Sequence, residues 1–206
     1  MHKIFKKSVL FLLALVTVLS LLPVHQADAA AMKGNWRSLK PDCTALWVEV
    51  GCGKGKFTAE TAQANPEVLL IAVERCREAM VVAMEKAKEM GLQNVRFFIG
   101  DATRLAELLQ PGDVCRLYLN FSDPWPKSGH EKRRLTYGSF LAQYRTVMDA
   151  GRTVTFKTDN RGMFDYSLLS FAANGWRCED VTYDLHNSEF EEGNIHTEYE
   201  DNFSAK

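Results

Sequence analysis

The sequence predicts an α/β fold built on a mostly parallel sheet with helices on both faces. Three observations carry that expectation. The stretch 46–57, LWVEVGCGKGKF, is an apolar run that breaks into glycines at alternate positions, Gly51, Gly53 and Gly55, then resumes as a helical pattern, which reads as strand, tight turn, helix. Residues 68–73, VLLIAV, form a continuous apolar run bounded by turn signals, as expected of a strand buried on both faces of a parallel sheet. Further strand-like stretches at 95–99, 114–119 and 153–157 alternate with helical stretches and end in charged or turn residues.

Length and composition bound the rest. A chain of 206 residues is a prior for one domain, with room for about six or seven strands. Hydrophobic residues at 46% and charged residues at 25% are ordinary for a globular protein. The five cysteines, at 43, 52, 76, 115 and 178, include no C-x-x-C pair and leave an odd one over. They point to a reduced compartment without disulfides, and no metal site is expected. The first thirty residues argue the other way: Lys3, Lys6 and Lys7 precede an apolar run from Ser8 to Leu22, followed by Ala27-Asp28-Ala29. That is the signature of a secretory signal, and the run is short of the roughly 20 residues that span a bilayer. Residues 1–30 are therefore expected to be a leader and 31–206 one domain. The whole chain has a net charge of −1, and the leader holds three lysines against one aspartate, so the body is more acidic than the whole. A globally basic nucleic-acid binder is excluded, and any RNA contact must come from a local patch.

Taken in order, residues 32–37 read as a polar approach to the first strand, and Glu49 is a carboxylate inside that strand, two residues before Gly51. A buried acid repels pyrophosphate, so this corner suits a cofactor with a cationic group, such as S-adenosyl-L-methionine, better than a dinucleotide. A helix over 57–64 stops at Asn65-Pro66. The second strand ends in Glu74, about twenty residues beyond the glycine turn, where an acid accepts from ribose hydroxyls. Helix 77–90 closes at Gly91. The third strand leads to Asp101, which is placed to accept from an adenine amino group, to cap a helix over 102–109, or to do both. The fourth runs into Asn120-Phe-Ser-Asp-Pro-Trp-Pro-Lys127. Ligands of open α/β sheets bind at such carboxyl ends, and the two prolines make a stiff loop that presents Asp123 and Trp125. Lys127, His130, Lys132, Arg133 and Arg134 follow as the concentrated basic patch, suited to phosphate contacts. A helix over 135–148 ended by Gly151, a fifth strand over 153–157 reaching Asp159, a helix over 164–173 and a sixth strand over 176–185 complete the expected order. The tail is polar and acidic.

Together the segments Glu49 to Gly55, Asn120 to Lys127, His130 to Tyr137, Phe156 to Gly162, Asp184-Leu-His186 and Thr197-Glu-Tyr-Glu200 resemble the bacterial tRNA (guanine-N7)-methyltransferases over essentially all of 33–206. The resemblance implies a Rossmann-like class I fold and methyl transfer from S-adenosyl-L-methionine to a guanosine in the tRNA variable loop. It implies that Glu49, Gly51, Gly53, Gly55, Glu74, Asp101 and Asp123 line the cofactor and reaction site, with Asp123 catalytic. Lys127, Asp159, Thr197, Glu198, Tyr199 and Glu200 would hold substrate, and His130, Lys132, Arg133 and Arg134 would touch RNA. It also implies a cytoplasmic protein, monomeric or homodimeric. Members continue past 203–206 into a last antiparallel strand between the fifth and sixth, so the sheet here is expected to lack it and leave an open slot.

Two rival readings stand beside this one. Ser122-Asp-Pro-Trp125 is similar to the loop of amino methyltransferases acting on adenine or cytosine, and the leader with the missing strand suits an exported or membrane-tethered binding protein that has lost catalysis. A dinucleotide-linked oxidoreductase is disfavoured by Glu49 and by the Asp-Pro-Trp-Pro loop.

Overall fold

A computed structural model describes residues 32–204. The leader expected over 1–30 lies outside the described residues. Five parallel strands, β1 (Ala45–Val50), β2 (Val68–Glu74), β3 (Val95–Ile99), β4 (Val114–Asn120) and β5 (Met148–Lys157), form one sheet in the order β3-β2-β1-β4-β5. The order reverses between β1 and β4, and ligands of such sheets bind beyond the carboxyl ends at that reversal.

Strand alternation sorts the core into two layers. Leu46, Val48, Val50, Leu69, Ile71, Val73 and Phe98 face one side, against α3 (Leu105–Leu108), α4 (Gly138–Val147) and α5 (Arg161–Ala173). Leu70, Ala72, Val95 and Phe97 face the other, against α1 (Lys56–Ala64) and α2 (Arg77–Glu89). Every residue of β2 up to Val73 is buried, which accounts for its uninterrupted apolar run. The approach to β1 is more than a linker: Trp36 is 1% exposed, and its indole N–H donates to the Leu108 carbonyl at 2.7 Å.

Three expected boundaries are corrected. Gly151 does not end a helix. It lies inside β5 with φ of 78°, where pairing to β4 steps from Val114↔Met148 to Arg116↔Thr153, so a glycine bulge carries the extra residues. The helix expected over 102–109 begins as a 3-10 turn, Ala102–Arg104, before α3. The sixth strand over 176–185 does not form. A strand needs a ladder partner, and between this segment and the outer edge of β5 runs a groove of about 1310 Å³, lined by Val154, Phe156, Phe171, Trp176 and Tyr183 among others.

After that segment the chain turns back over the carboxyl edge through 3-10 turns at Leu185–Asn187 and Glu189–Glu191 and ends in α6 (Glu198–Ser204). Three ion pairs tie it down: Lys86 with Glu198, Lys56 with Asp201, and Lys157 with Glu200. Among the described residues no helix is long and apolar enough to cross a membrane.

Candidate active site

The glycine turn owes its shape to three left-handed residues, with φ of 82°, 55° and 78° at Gly51, Gly53 and Gly55, a region costly for any residue with a Cβ. The three glycines have different reasons to be glycine. A Cβ at Gly51 or Gly53 would meet nothing within 4 Å, so these two leave free space above the sheet edge. A Cβ at Gly55 would lie 2.5 Å from Ala83 Cβ and 2.8 Å from Ala83 Cα, where α1 crosses α2. Gly55→Ala is accordingly expected to destabilise the protein by about 1–3 kcal/mol, read as a lowered midpoint of denaturant unfolding.

Glu74 braces this turn. Its carboxylate accepts from the Gly53 N–H at 3.1 Å and from the Cys76 N–H at 2.8 Å, so the loop after β1 and the loop after β2 are tied to one side chain. Asp101 caps the 3-10 turn that follows β3 by accepting from the Thr103 N–H at 2.9 Å, the capping half of its expected pair of roles.

Glu49 is 1% exposed. One oxygen accepts from Thr58 Oγ1 and the other from Asn120 Nδ2 at 3.1 Å, and burial raises its carboxyl to about 7. An acid whose folded pKa lies above its ordinary 4.5 stabilises the fold fully below that value and loses the contribution as pH rises through about 7. Denaturation across that range is expected to show the wild type losing up to roughly 3 kcal/mol more than Glu49→Gln. Beside this acid, Asn120 Oδ1 and Ser122 Oγ are buried with no hydrogen-bond partner among the described residues, an arrangement that asks for a polar ligand.

The loop after β4 is strained. Phe121 and Trp125 have φ of 49° and 42°, outliers for bulky side chains. Arg134 holds the conformation, its guanidinium donating to the carbonyls of Pro124 and Trp125, both at 3.1 Å, and lying over the Tyr166 ring. Arg133 stacks on Trp125 at 4.8 Å, and His130 meets the same indole edge-on. The basic run is thus divided. Arg134 is spent on the loop, whereas nothing among the described residues pairs with Lys127 or Lys132, both exposed. Nothing pairs with Asp123 either, which is exposed at the head of the loop. Lys132→Ala is expected to weaken binding of a polyanionic partner and lower its log–log salt slope by about one. Arg134→Ala is expected to slow turnover while leaving that slope unchanged, as binding titrations at several salt concentrations would read.

Asp159, beyond β5, accepts from the Tyr199 hydroxyl at 2.8 Å, and the Tyr199 ring packs on Phe121 with centroids 5.0 Å apart. The loops after β4 and β5 are thereby joined through α6. The segment Thr197–Glu200 is a capping box at the start of that helix: Thr197 N–H donates to Glu200 Oε2 at 2.7 Å, and Glu200 N–H to Thr197 Oγ1 at 3.1 Å. Its Thr-x-x-Glu spacing was readable from the sequence as a cap. Lys157, at the carboxyl end of β5, was missed. Its ammonium donates to Glu200 at 2.8 Å, to Asn194 Oδ1 at 3.1 Å and to the Ile195 carbonyl at 3.0 Å. The hint was its place at the end of the strand, inside the segment Phe156 to Gly162 that carries part of the family resemblance.

A family model described as "Putative methyltransferase" matches residues 44–206. A tRNA (guanine-N(7)-)-methyltransferase of Bacillus subtilis is 48% identical over 179 residues, covering 87% of this chain and 84% of that protein. The chain belongs to the tRNA (guanine-N7)-methyltransferase family. A second member, from Halalkalibacterium halodurans, is 48% identical over 86% of this chain and 80% of its own length. Among solved structures, the 16S rRNA methyltransferase KamB superposes with a TM-score of 0.53 at 20% identity, covering 76% of this chain and 87% of that one. An antibiotic-related methyltransferase superposes with a TM-score of 0.57 at 14% identity, covering 78% and 79%. These neighbours share the Rossmann-like fold of this family.

Proposed function

We propose that this member of the tRNA (guanine-N7)-methyltransferase family transfers a methyl group from S-adenosyl-L-methionine to N7 of a guanosine in tRNA, in the cytoplasm where that substrate resides. The observation that carries the reading is Asp123, an exposed carboxylate with no pairing partner among the described residues, on a stiffened loop at the carboxyl end of β4, with Asp159 beyond the neighbouring strand. S-adenosyl-L-methionine supplies an electrophilic methyl group.

The chain's residues suit that cofactor. Gly51 and Gly53 leave room beside the turn, and Asn120 Oδ1 and Ser122 Oγ are buried polar atoms without a partner among the described residues. Glu49 is a buried acid that a nearby cation would favour in its charged form. Glu74 and Asp101 stand at the ends of the two strands beyond the turn, positions at which acids of such folds meet a ribose and a base.

Guanine N7 carries its own lone pair, so no general base has to remove a proton. The base becomes cationic as it is methylated, and a carboxylate at its edge stabilises that charge. Asp123 takes this role, Asp159 helps to hold the guanine, and the loop clamp by Arg134 fixes the approach. Lys127 and Lys132 supply phosphate contacts that place the tRNA without reading its sequence.

The test is methyl transfer from labelled S-adenosyl-L-methionine to unmodified bulk tRNA by the purified chain, followed by nucleoside analysis. 7-Methylguanosine is the expected product. Methylated adenosine or cytidine in its place would overturn the assignment in favour of an amino methyltransferase.

A further inference from the structure

In the segment that crosses the carboxyl edge, His186, Glu191 and His196 converge, with one ligand atom from each lying within 4.8 Å of the others. His186 Nδ1 lies 3.2 Å from Glu191 Oε2, and His196 Nε2 lies 2.7 Å from Glu191 Oε1. The two imidazole rings are 5.2 Å apart, set around the one carboxylate. His196 Nδ1 lies 3.2 Å from a second carboxylate, that of Asp201. Both nitrogens of one ring therefore face carboxylate oxygens, and a neutral imidazole has a proton for only one of them. A cation belongs in the other gap, either a second proton or a metal ion.

The surroundings favour the metal. We propose that His186, Glu191 and His196 form a divalent transition-metal site of the zinc class, with Asp201 as the carboxylate that orients the His196 ring. Two imidazoles and one carboxylate are the ligand set of zinc and its neighbours rather than of calcium or magnesium. An ion about 2 Å from each ligand needs ligand atoms roughly 3.3 Å apart; the His186–Glu191 separation is 3.2 Å, the His196–Glu191 separation of 2.7 Å has to open, and all three ligand atoms lie within 4.8 Å of one another. The outer partners are already in place. Asn194 Nδ2 donates to Glu191 Oε2 at 2.9 Å, and Asp201 is fixed in turn by Lys56 at 2.8 Å. A carboxylate on the far nitrogen of a ligating histidine fixes its tautomer and raises its basicity. His186 is exposed, so an ion enters from solvent without unfolding.

The cysteine pattern gave no hint of this, because its ligands are two histidines ten positions apart in the sequence, joined by the turns at Leu185–Asn187 and Glu189–Glu191. An ion there would cross-link both turns to the entry of α6, which carries Tyr199 and Glu200.

The test uses the full chain without a histidine tag, stripped with chelator and titrated with Co²⁺ and then Zn²⁺. One equivalent of Co²⁺ is expected to bind with ligand-field bands and no thiolate charge-transfer band, to be displaced by Zn²⁺, and to slow amide exchange over 185–204. His186→Ala and Glu191→Gln are expected to abolish the stoichiometric site, and Asp201→Asn to weaken it about 10- to 100-fold. Circular dichroism of each variant confirms that it has folded. No saturable binding to the wild type, binding that survives His186→Ala, or a thiolate band assigning the ion to Cys76 or Cys178 would each overturn the proposal.

Discussion

Asp123→Ala is expected to lower kcat/KM for tRNA methylation about 10²- to 10³-fold, the cost of removing one preorganised electrostatic partner of a developing charge. The carboxylate is exposed and nothing pairs with it among the described residues, so its removal breaks no internal contact. Thermal stability should therefore stay close to wild type, which separates a chemical role from a structural one. The loop that carries it is held independently by Arg134 through the Pro124 and Trp125 carbonyls. Asp123→Asn keeps the shape and removes the charge, and it should fall by nearly as much. Wild-type turnover in either variant, measured with saturating cofactor, would remove Asp123 from the mechanism.

Lys157→Ala is expected to cost about 3–5 kcal/mol locally, because it leaves the Glu200 carboxylate buried without its counter-charge. The side chains of the pair are 10% and 1% exposed, so solvent does not replace the lost ammonium. Burial pushes the Glu200 carboxyl up, yet Lys157 and the Thr197 N–H together hold it below its ordinary 4.5. An acid with a depressed folded pKa contributes fully above its unfolded value and loses that contribution as pH falls through the folded one. Acid should therefore loosen the segment 185–204 in the wild type. The variant should show the loosening already at neutral pH, as amide exchange faster by about 10² or more over that segment, with turnover falling because Tyr199 no longer braces Asp159 and Phe121. Unchanged exchange would mean that the ion pairs of Lys56 and Lys86 suffice.

Much of this architecture was legible because its signals are local. The run over β2 is apolar throughout because both faces are covered, and the three glycines announce a turn that only left-handed residues make. The carboxyl-edge positions of Glu74, Asp101 and Asp123 follow once the strands are read as parallel. What was not legible depends on contacts distant in sequence. Arg134 looks like one of five basic residues until Pro124 and Trp125 are folded against it. Lys157 and Glu200 lie 43 positions apart, and nothing near either one foretells a buried pair. The segment 176–185 has the composition of a strand, but a strand exists only with a partner, and the groove beside β5 provides none. Gly151 punctuates a bulge rather than a helix end, because β5 starts earlier than its apolar residues suggest.

The methyl group is proposed to go to one atom, N7 of guanine. The measurement that tests it most directly is methyl transfer to a tRNA transcript in which guanosine is replaced by 7-deazaguanosine, compared with the unsubstituted transcript under the same conditions. The substituted base keeps its Watson–Crick edge and its stacking and lacks only the nucleophilic nitrogen. Label incorporation confined to the normal transcript is the predicted result. Equal incorporation into both would contradict the account, since the methyl group would then be going to another atom.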